Sequence, residues 1–190
     1  MKKQQKYLFF LPLLFWAICG MQCRKCKTPV PLTEIEKLPP ITQTGANTFG
    51  CLVDGVAWLP NGTKPQNGGP NIQVYVDPTF QGGRFSITGN KYNEQNQYIG
   101  IGSFRCTTSG FYNLDSAFNG LQFYRNIPNS NFVDYSTNDL GIYKKGFINI
   151  TKYDLSTGIF SGTFEGKLFK LNGSYGDTIN ITNGRFDVKL

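Results

Sequence analysis

The stretch DTINITNGRFDVKL, Asp177–Leu190, alternates apolar and polar residues on either side of an Asn-Gly pair. Alternation at a period of two is a strand signal. Asn-Gly suits a two-residue hairpin turn, because both positions need positive φ. A turn at Asn183-Gly184 sets Thr182 opposite Arg185, Ile181 opposite Phe186 and Ile179 opposite Val188. Apolar residues then meet on one face. Asn180 meets Asp187 on the other, beside Arg185 and Lys189. Register and face agree, so the stretch predicts a hairpin and, with it, an antiparallel all-β domain.

The rest of the chain after residue 45 supports that class. TFGCLVDGVAWLP holds an Asp54-Gly55 turn that pairs Val53 with Val56, Cys51 with Trp58 and Leu52 with Ala57. Both faces of that hairpin are apolar, so it is expected to be buried on both sides. In NIQVYVD, Ile72, Val74 and Val76 point inward. In GIFSGTFEGKLF, Phe160, Phe164 and Leu168 share a face with Gly162 and Gly166, which leave room for large neighbours. Strands are expected at 48–53, 56–60, 71–77, 84–92, 97–107, 121–126, 142–153, 159–170, 177–182 and 185–190. Short strands punctuated by Gly, Asn, Asp and Pro, with no sustained helical period, point to an antiparallel β-sandwich built from consecutive hairpins. A closed up-and-down barrel, lipocalin-like, is the alternative. DLSTG (Asp154–Gly158), SAFNG (Ser116–Gly120), NIPNSN (Asn126–Asn131) and the long PNGTKPQNGGPN (Pro60–Asn71) read as turns and loops.

The N-terminal part has a different character. MKKQQK precedes the uncharged run YLFFLPLLFWAICGM, Tyr7–Met21. A basic head before a short apolar run describes a secretory signal sequence. The run is short for a membrane span and contains Pro12, although an uncleaved anchor is the competing reading. Residues 1–22 are therefore assigned to a signal sequence with a cysteine cluster following. Residues 23–47, with Pro29, Pro31, Pro39 and Pro40, read as an extended tether in which LTEIEKL has room for one helical turn. Residues 48–190 make one β-domain of ordinary size.

Composition excludes several functions. The net charge is +7, but from Gly45 onward twelve Lys/Arg face ten Asp/Glu, a balance of only +2. A nucleic-acid binder would carry its basic stripe on the folded domain, so no nucleic-acid partner is expected. There is no histidine, which removes Ser-His-Asp and Cys-His catalysis and every imidazole metal site. Cys51 and Cys106 are too few for a structural zinc. They are open to two readings: a disulfide, worth about 4 kcal/mol for so long a loop, or two separate buried thiols. Neither a catalytic residue nor a metal nor a cofactor is assigned. The domain has only two glutamates, Glu94 and Glu165, and most aspartates fall in turns, so a glycoside hydrolase is a minor alternative. NLDSAFNG lacks the Asp spacing of a calcium loop. Sequons stand at Asn61, Asn149, Asn172 and Asn180. Tyr112, Phe118, Tyr124, Tyr135 and Tyr143 crowd the middle of the chain. They read first as core and cross-strand pairs, and second as a platform for sugar rings or an apolar ligand.

NTFGCLVDGVAWLP, SGFYNL, KGFINITKYDLSTGIFSGTFE and GDTINITNGRFDVKL, behind a signal run with cysteines, resemble uncharacterised envelope lipoproteins of Bacteroidetes. The resemblance implies an exported β-domain anchored by lipid to the outer membrane, with no catalytic residue to carry over. Within ICGMQCRKC it places the anchor at Cys23. Cys19 is the alternative, since it sits against the end of the apolar run. The resemblance also makes DSA and DTI O-glycosylation acceptors, at Ser116 and Thr178. The basic RKCK flank departs from the acidic flank of surface-exported relatives, which leaves both sides of the outer membrane open. The functional expectation is a non-enzymatic envelope protein with a binding or structural role. Its alternatives are a glycan-binding accessory module and an apolar-ligand carrier. Its partners are the membrane, through the anchor, and a protein or glycan.

Overall fold

The computed structural model describes residues 30–66, 68–93, 95–114, 119–126, 133–137, 145–170 and 177–190. A compact unit runs from Leu32 to Leu190. Among the described residues it holds eleven strands: β1 (Thr48–Val53), β2 (Val56–Trp58), β3 (Ile72–Asp77), β4 (Arg84–Lys91), β5 (Gln97–Phe104), β6 (Gly110–Asn113), β7 (Asn119–Arg125), β8 (Val133–Ser136), β9 (Lys145–Asp154), β10 (Ile159–Lys170) and β11 (Thr178–Lys189). Among the described residues the one helical piece is a 3₁₀ turn, Phe80–Gly82. No helix among the described residues is long and apolar enough to cross a membrane.

Every strand pairing is antiparallel. The order is β2-β1-β11-β10-β8-β7-β5-β4-β3, and β9 with β6 continues from the other part of β10. Among the described residues the path ends at β2 and β3 with no pairing between them, so the sheet is open rather than a closed barrel. It doubles over on itself. β4 stands four places from β10 in the order, about 19 Å away on a flat sheet at 4.8 Å per strand. Yet the ring of Phe85 on β4 lies 6.1 Å from Phe160 on β10 and 5.6 Å from Phe186 on β11. Two layers therefore face each other, β2-β1-β11-β10-β9-β6 and β3-β4-β5-β7-β8. They join at a thin corner where β10 meets β8 only through Phe169↔Ser136 and Lys170↔Tyr135. The inward residues of both layers fill the space between: Phe49, Ile148, Phe160, Phe164, Leu168 and Ile181 against Phe85, Ile87, Ile99, Ile101 and Leu121, all buried.

The first hairpin forms in the expected register, Val53↔Val56, Leu52↔Ala57 and Cys51↔Trp58. Asp54 and Gly55 take φ of 48° and 82°, the positive pair that a tight hairpin turn needs. The Asp177–Leu190 stretch does not form a hairpin. It is one twelve-residue strand, flanked by β10 on one side and β1 on the other. Asn183 adopts φ of 52°, and the pairing with β10 skips a residue there, from Phe164↔Gly184 to Gly166↔Ile181. This is a β-bulge. A bulge inserts one residue and so shifts the alternation, which keeps Ile179, Ile181, Phe186 and Val188 on one face just as a two-residue turn would. The pattern that predicted the hairpin fits both. Asp187 consequently faces the N-terminal segment, and not Asn180. Where β11 and β9 flank β10, Gly162 is held tightly: a Cβ there would lie 2.3 Å from the Asn149 carbonyl oxygen and 2.7 Å from the Phe186 ring.

The segment read as a tether is part of the compact unit from Leu32 onward. Thr33 and Glu36 form a capping box around one turn: Thr33 N–H donates to Glu36 Oε2 at 2.7 Å, and Glu36 N–H donates to Thr33 Oγ1 at 3.4 Å. Leu38 and Pro39 then lie over Gly50, which covers the second apolar face of β1. Residues 42–46 are clasped by the buried Asp187. Its carboxylate accepts from Thr42 Oγ1 (2.6 Å), Gly45 N–H (2.8 Å), Thr44 N–H (3.0 Å), Ala46 N–H (3.2 Å) and Ser161 Oγ (2.7 Å).

Candidate functional site

On β4 and β5 the residues alternate strictly. Phe85 and Ile87, like Ile99 and Ile101, point into the core, and their neighbours point outward. The register stacks the outward residues of β3, β4, β5 and β7 into four rows across the sheet. Asp77, Arg84 and Phe104 form the first. Tyr75, Ser86, Gly102 and Gly120 form the second. Gln73, Thr88, Gly100 and Gln122 form the third, and Asn90, Tyr98 and Tyr124 the fourth. The outer rows carry Arg84, Phe104, Tyr98 and Tyr124, while the middle rows are small on β4 and β5 and at Gly120. The result is a trough of about 390 Å³ crossing the strands, floored by Gly100, Gly102 and Gly120.

One wall is the Tyr98–Tyr124 pair, stacked with centroids 4.7 Å apart and planes 11° apart. Burial raises the Tyr98 phenol above its ordinary pKa, with the Asp134 charge adding to it. The other wall is Phe104, backed by Arg84. Its guanidinium carbon sits 5.0 Å from the Tyr75 ring, 5.6 Å from Phe104 and 5.8 Å from Phe80, cation–π distances that hold the arm in place. Polar groups flank the floor. Gln122 Nε2 donates to both oxygens of Asp134, at 2.8 and 3.0 Å. Burial raises the Asp134 pKa, opposed by the Gln122 bond. Ser86 and Thr88 offer hydroxyls beside the glycines.

The floor is not imposed by packing. A Cβ on Gly100 would find Thr88 Oγ1 at 3.7 Å as its nearest neighbour, and one on Gly102 would find the Phe85 carbonyl oxygen at 3.9 Å. Both are ordinary contact distances, and neither residue has positive φ. Other glycines of the fold differ: Gly184 would meet the Phe164 carbonyl oxygen at 2.5 Å, and Gly89 the Phe49 ring at 2.8 Å.

Of the residues expected to carry function, Cys19, Cys23, Ser116, Glu94, Phe118 and Tyr143 lie outside the described residues. Thr178 opens β11 opposite Phe169, half-buried. Cys51 and Cys106 are free thiols, both buried, and Cys106 falls just beyond the end of β5 rather than within it. Burial pushes the Cys51 thiol far above its ordinary pKa, and the Cys106 thiol upward too. Among the crowded aromatics, Tyr135 is core and Tyr112 is half-buried against it. Tyr124 stacks on Tyr98, which lines the trough. Glu165 accepts from Asn183 N–H at 3.2 Å, which places it at the bulge. Asp77 and Asp154 hold their own turns, Asp77 through Thr79 and Phe80 N–H and Asp154 through Ser156 and Thr157 N–H. Those bonds depress both pKa values, led by the Thr79 and Thr157 hydroxyls respectively. No group of three or more metal-ligating side chains occurs among the described residues.

Tyr98, Arg84, Gly100 and Gly102 were not singled out from the sequence. The signal was present in QYIGIGSF (Gln97–Phe104), where the inward positions are Ile and the outward ones Gly. The outward glycines of this strand have no packing neighbour close enough to require them. No family model, no curated protein and no solved structure matches the chain.

Proposed function

We propose that this protein is a non-enzymatic, lipid-anchored envelope module that binds a neutral glycan chain in the trough of the β3–β8 layer. The observation that carries the reading is the glycine floor at Gly100 and Gly102, open where the fold does not need it and walled by aromatic rings. Sugars present flat C–H faces that pack on tyrosine and hydroxyls that pair with Ser86, Thr88 and Gln122. A bare backbone floor lets a ring approach closely. The trough runs across the strands, so it suits a chain better than a single sugar. Arg84 stands among aromatic rings at one wall, and the Asp134 carboxylate is bonded to Gln122, so neither charge is aimed at the floor.

The anchor at Cys23, with Cys19 as the alternative, belongs to the same proposal and rests on the N-terminal sequence and its resemblance to Bacteroidetes lipoproteins. Intact mass of the protein recovered from membranes reports the cleavage site and any acyl chains. Calorimetric titration with neutral oligosaccharides of increasing length tests the trough. Affinity should rise with length, and Tyr98→Ala should lower it by about tenfold, the loss of a wall contact worth about 1.4 kcal/mol. Binding unaffected by Tyr98→Ala places the glycan elsewhere.

A further inference from the structure

At one end of the sandwich the two layers part. The β1–β2 turn, the end of β4, the start of β5, the end of β7 and the start of β11 surround a cleft of about 420 Å³. Its depth is apolar: Trp58, Phe123 and Ile179 line it and are themselves nearly buried. Trp58 is fixed by its indole N–H, which donates to Gln97 Oε1 at 2.8 Å, and by edge-on packing against Phe49.

Four charged side chains also line it: Lys91, Arg125, Asp54 and Asp177. The two acids are engaged. Asp177 takes the Lys170 ammonium at 2.9 Å and the Tyr135 hydroxyl at 3.1 Å, and the Lys170 bond leads the lowering of its pKa. Asp54 accepts from Asn180 N–H at 2.8 Å. The two cations are not engaged in the same way. Neither Lys91 nor Arg125 has a carboxylate within ion-pair distance among the described residues. Arg125 Nε is buried and, among the described residues, has no hydrogen-bond partner. A guanidinium N–H out of contact with water and with any acceptor is unfavourable, and an acceptor entering the cleft would satisfy it.

We infer that this cleft binds a small amphiphilic carboxylate, its anion held by Arg125 and Lys91 and its hydrocarbon part seated against Trp58, Phe123 and Ile179. A carboxylate matches the planar fork of arginine. The cleft's size lies in the range of small-molecule sites, and its apolar floor gives a carbon chain what inorganic phosphate cannot use. This site lies on the inward face of β5 and β7, opposite the glycan trough, and does not depend on it.

Octanoate, 1-octanol and inorganic phosphate are the probes, and Trp58 is the reporter. The chain has two tryptophans, Trp16 and Trp58; Trp16 lies in the proposed signal sequence, so the mature protein cleaved before Cys23 carries Trp58 alone to be read by fluorescence, and Trp16→Phe serves the same end in uncleaved protein. Octanoate should change the emission saturably. Octanol should bind at least about tenfold more weakly, since it lacks the anion, and phosphate alone should leave the emission unchanged. Arg125→Gln should weaken octanoate by about tenfold or more, and Arg125→Lys should retain part of the affinity. Octanol binding as tightly as octanoate would overturn the assignment of the cations. Phosphate binding as tightly as octanoate would reduce the cleft to a plain anion site. If Arg125→Gln fails to fold, Lys91→Gln together with the octanoate-to-octanol ratio in the parent protein decides. Emission that octanoate does not saturate sinks the inference.

Discussion

If Gly100 and Gly102 are kept for a ligand, replacing them should strengthen the fold and weaken binding. A glycine inside a strand costs about 0.5–1 kcal/mol relative to alanine, mostly because the unfolded chain is freer. At Gly100 the new methyl would have its nearest neighbour at 3.7 Å, and at Gly102 at 3.9 Å, so no clash offsets that gain. Gly100→Ala and Gly102→Ala should each add about 0.5 kcal/mol or more, and Gly100→Val slightly more, since a β-branched residue suits a strand. For a chain of this size 1 kcal/mol corresponds to about 2–4 °C in Tm. Gly162→Ala is the internal control. Its methyl would lie 2.3 Å from the Asn149 carbonyl oxygen, so the backbone must move and stability should fall by about 1–3 kcal/mol. Urea unfolding of the three alanine variants and the Gly100→Val variant, with oligosaccharide titration of each folded one, completes the assay. Gly100→Ala destabilised as much as Gly162→Ala would refute the reasoning, because the floor would then be structural. Gly100→Val binding oligosaccharides as the parent does would refute its second half.

Three further outcomes follow from the described geometry. Asp187→Asn replaces a carboxylate that accepts from three backbone N–H groups and three hydroxyls; it should cost about 3 kcal/mol or more by urea unfolding, as charge-assisted bonds are worth about 1.5–3 kcal/mol each. Those same bonds, led by Thr42 and Ser161, outweigh the burial that opposes them and hold the Asp187 carboxyl well below its usual range. Its stabilisation is therefore complete above the ordinary carboxylate pKa near 4 and drains away as pH falls below it, and Asp187→Asn should flatten that acid limb of stability against pH. Cys51 and Cys106 should ignore a water-soluble thiol reagent in the native protein and both react in urea without reductant, read by mass; a failure to react in urea would reveal a bond between them. Asn183→Ala should cost about 1 kcal/mol, since φ of 52° suits Asn and Gly better than Ala, and Asn183→Gly should restore or exceed the parent Tm.

What the sequence disclosed depended on how local the deciding forces were. The Asp54-Gly55 hairpin was legible to the residue, because a two-residue turn sets its own register. So were the inward Phe160, Phe164 and Leu168, and the crowding at Gly162. Asn183-Gly184 was misread because a turn and a bulge shift the alternation equally. Only the partners β1 and β10, distant in sequence, choose between them. β6 and β8 have four residues each, too few to show a period, and so were absent from the expected strands. The segment 32–47 looked like a tether because its prolines forbid regular pairing. Its contacts come instead from Leu38 and Pro39 on Gly50 and from the buried Asp187. The trough came from rows that cross four strands, and no single strand contains one.

The place of β11 has a temporal meaning. It lies between β1 and β10, with Thr48 aligned to Asp187, so the earliest strand of the domain is paired only with the β2 turn until the last one exists. Long-range strand pairing of this kind is slow, because the loop must close before the contacts repay it. A nascent chain emerging from the ribosome can form the β3–β4–β5–β7 sheet and the β6–β9–β10 sheet early, but β1 and β2 join the latter only once β11 exists. Truncation before Thr178 should therefore leave β1 and β10 as bare edges and yield an aggregating half-sandwich, not a smaller stable domain.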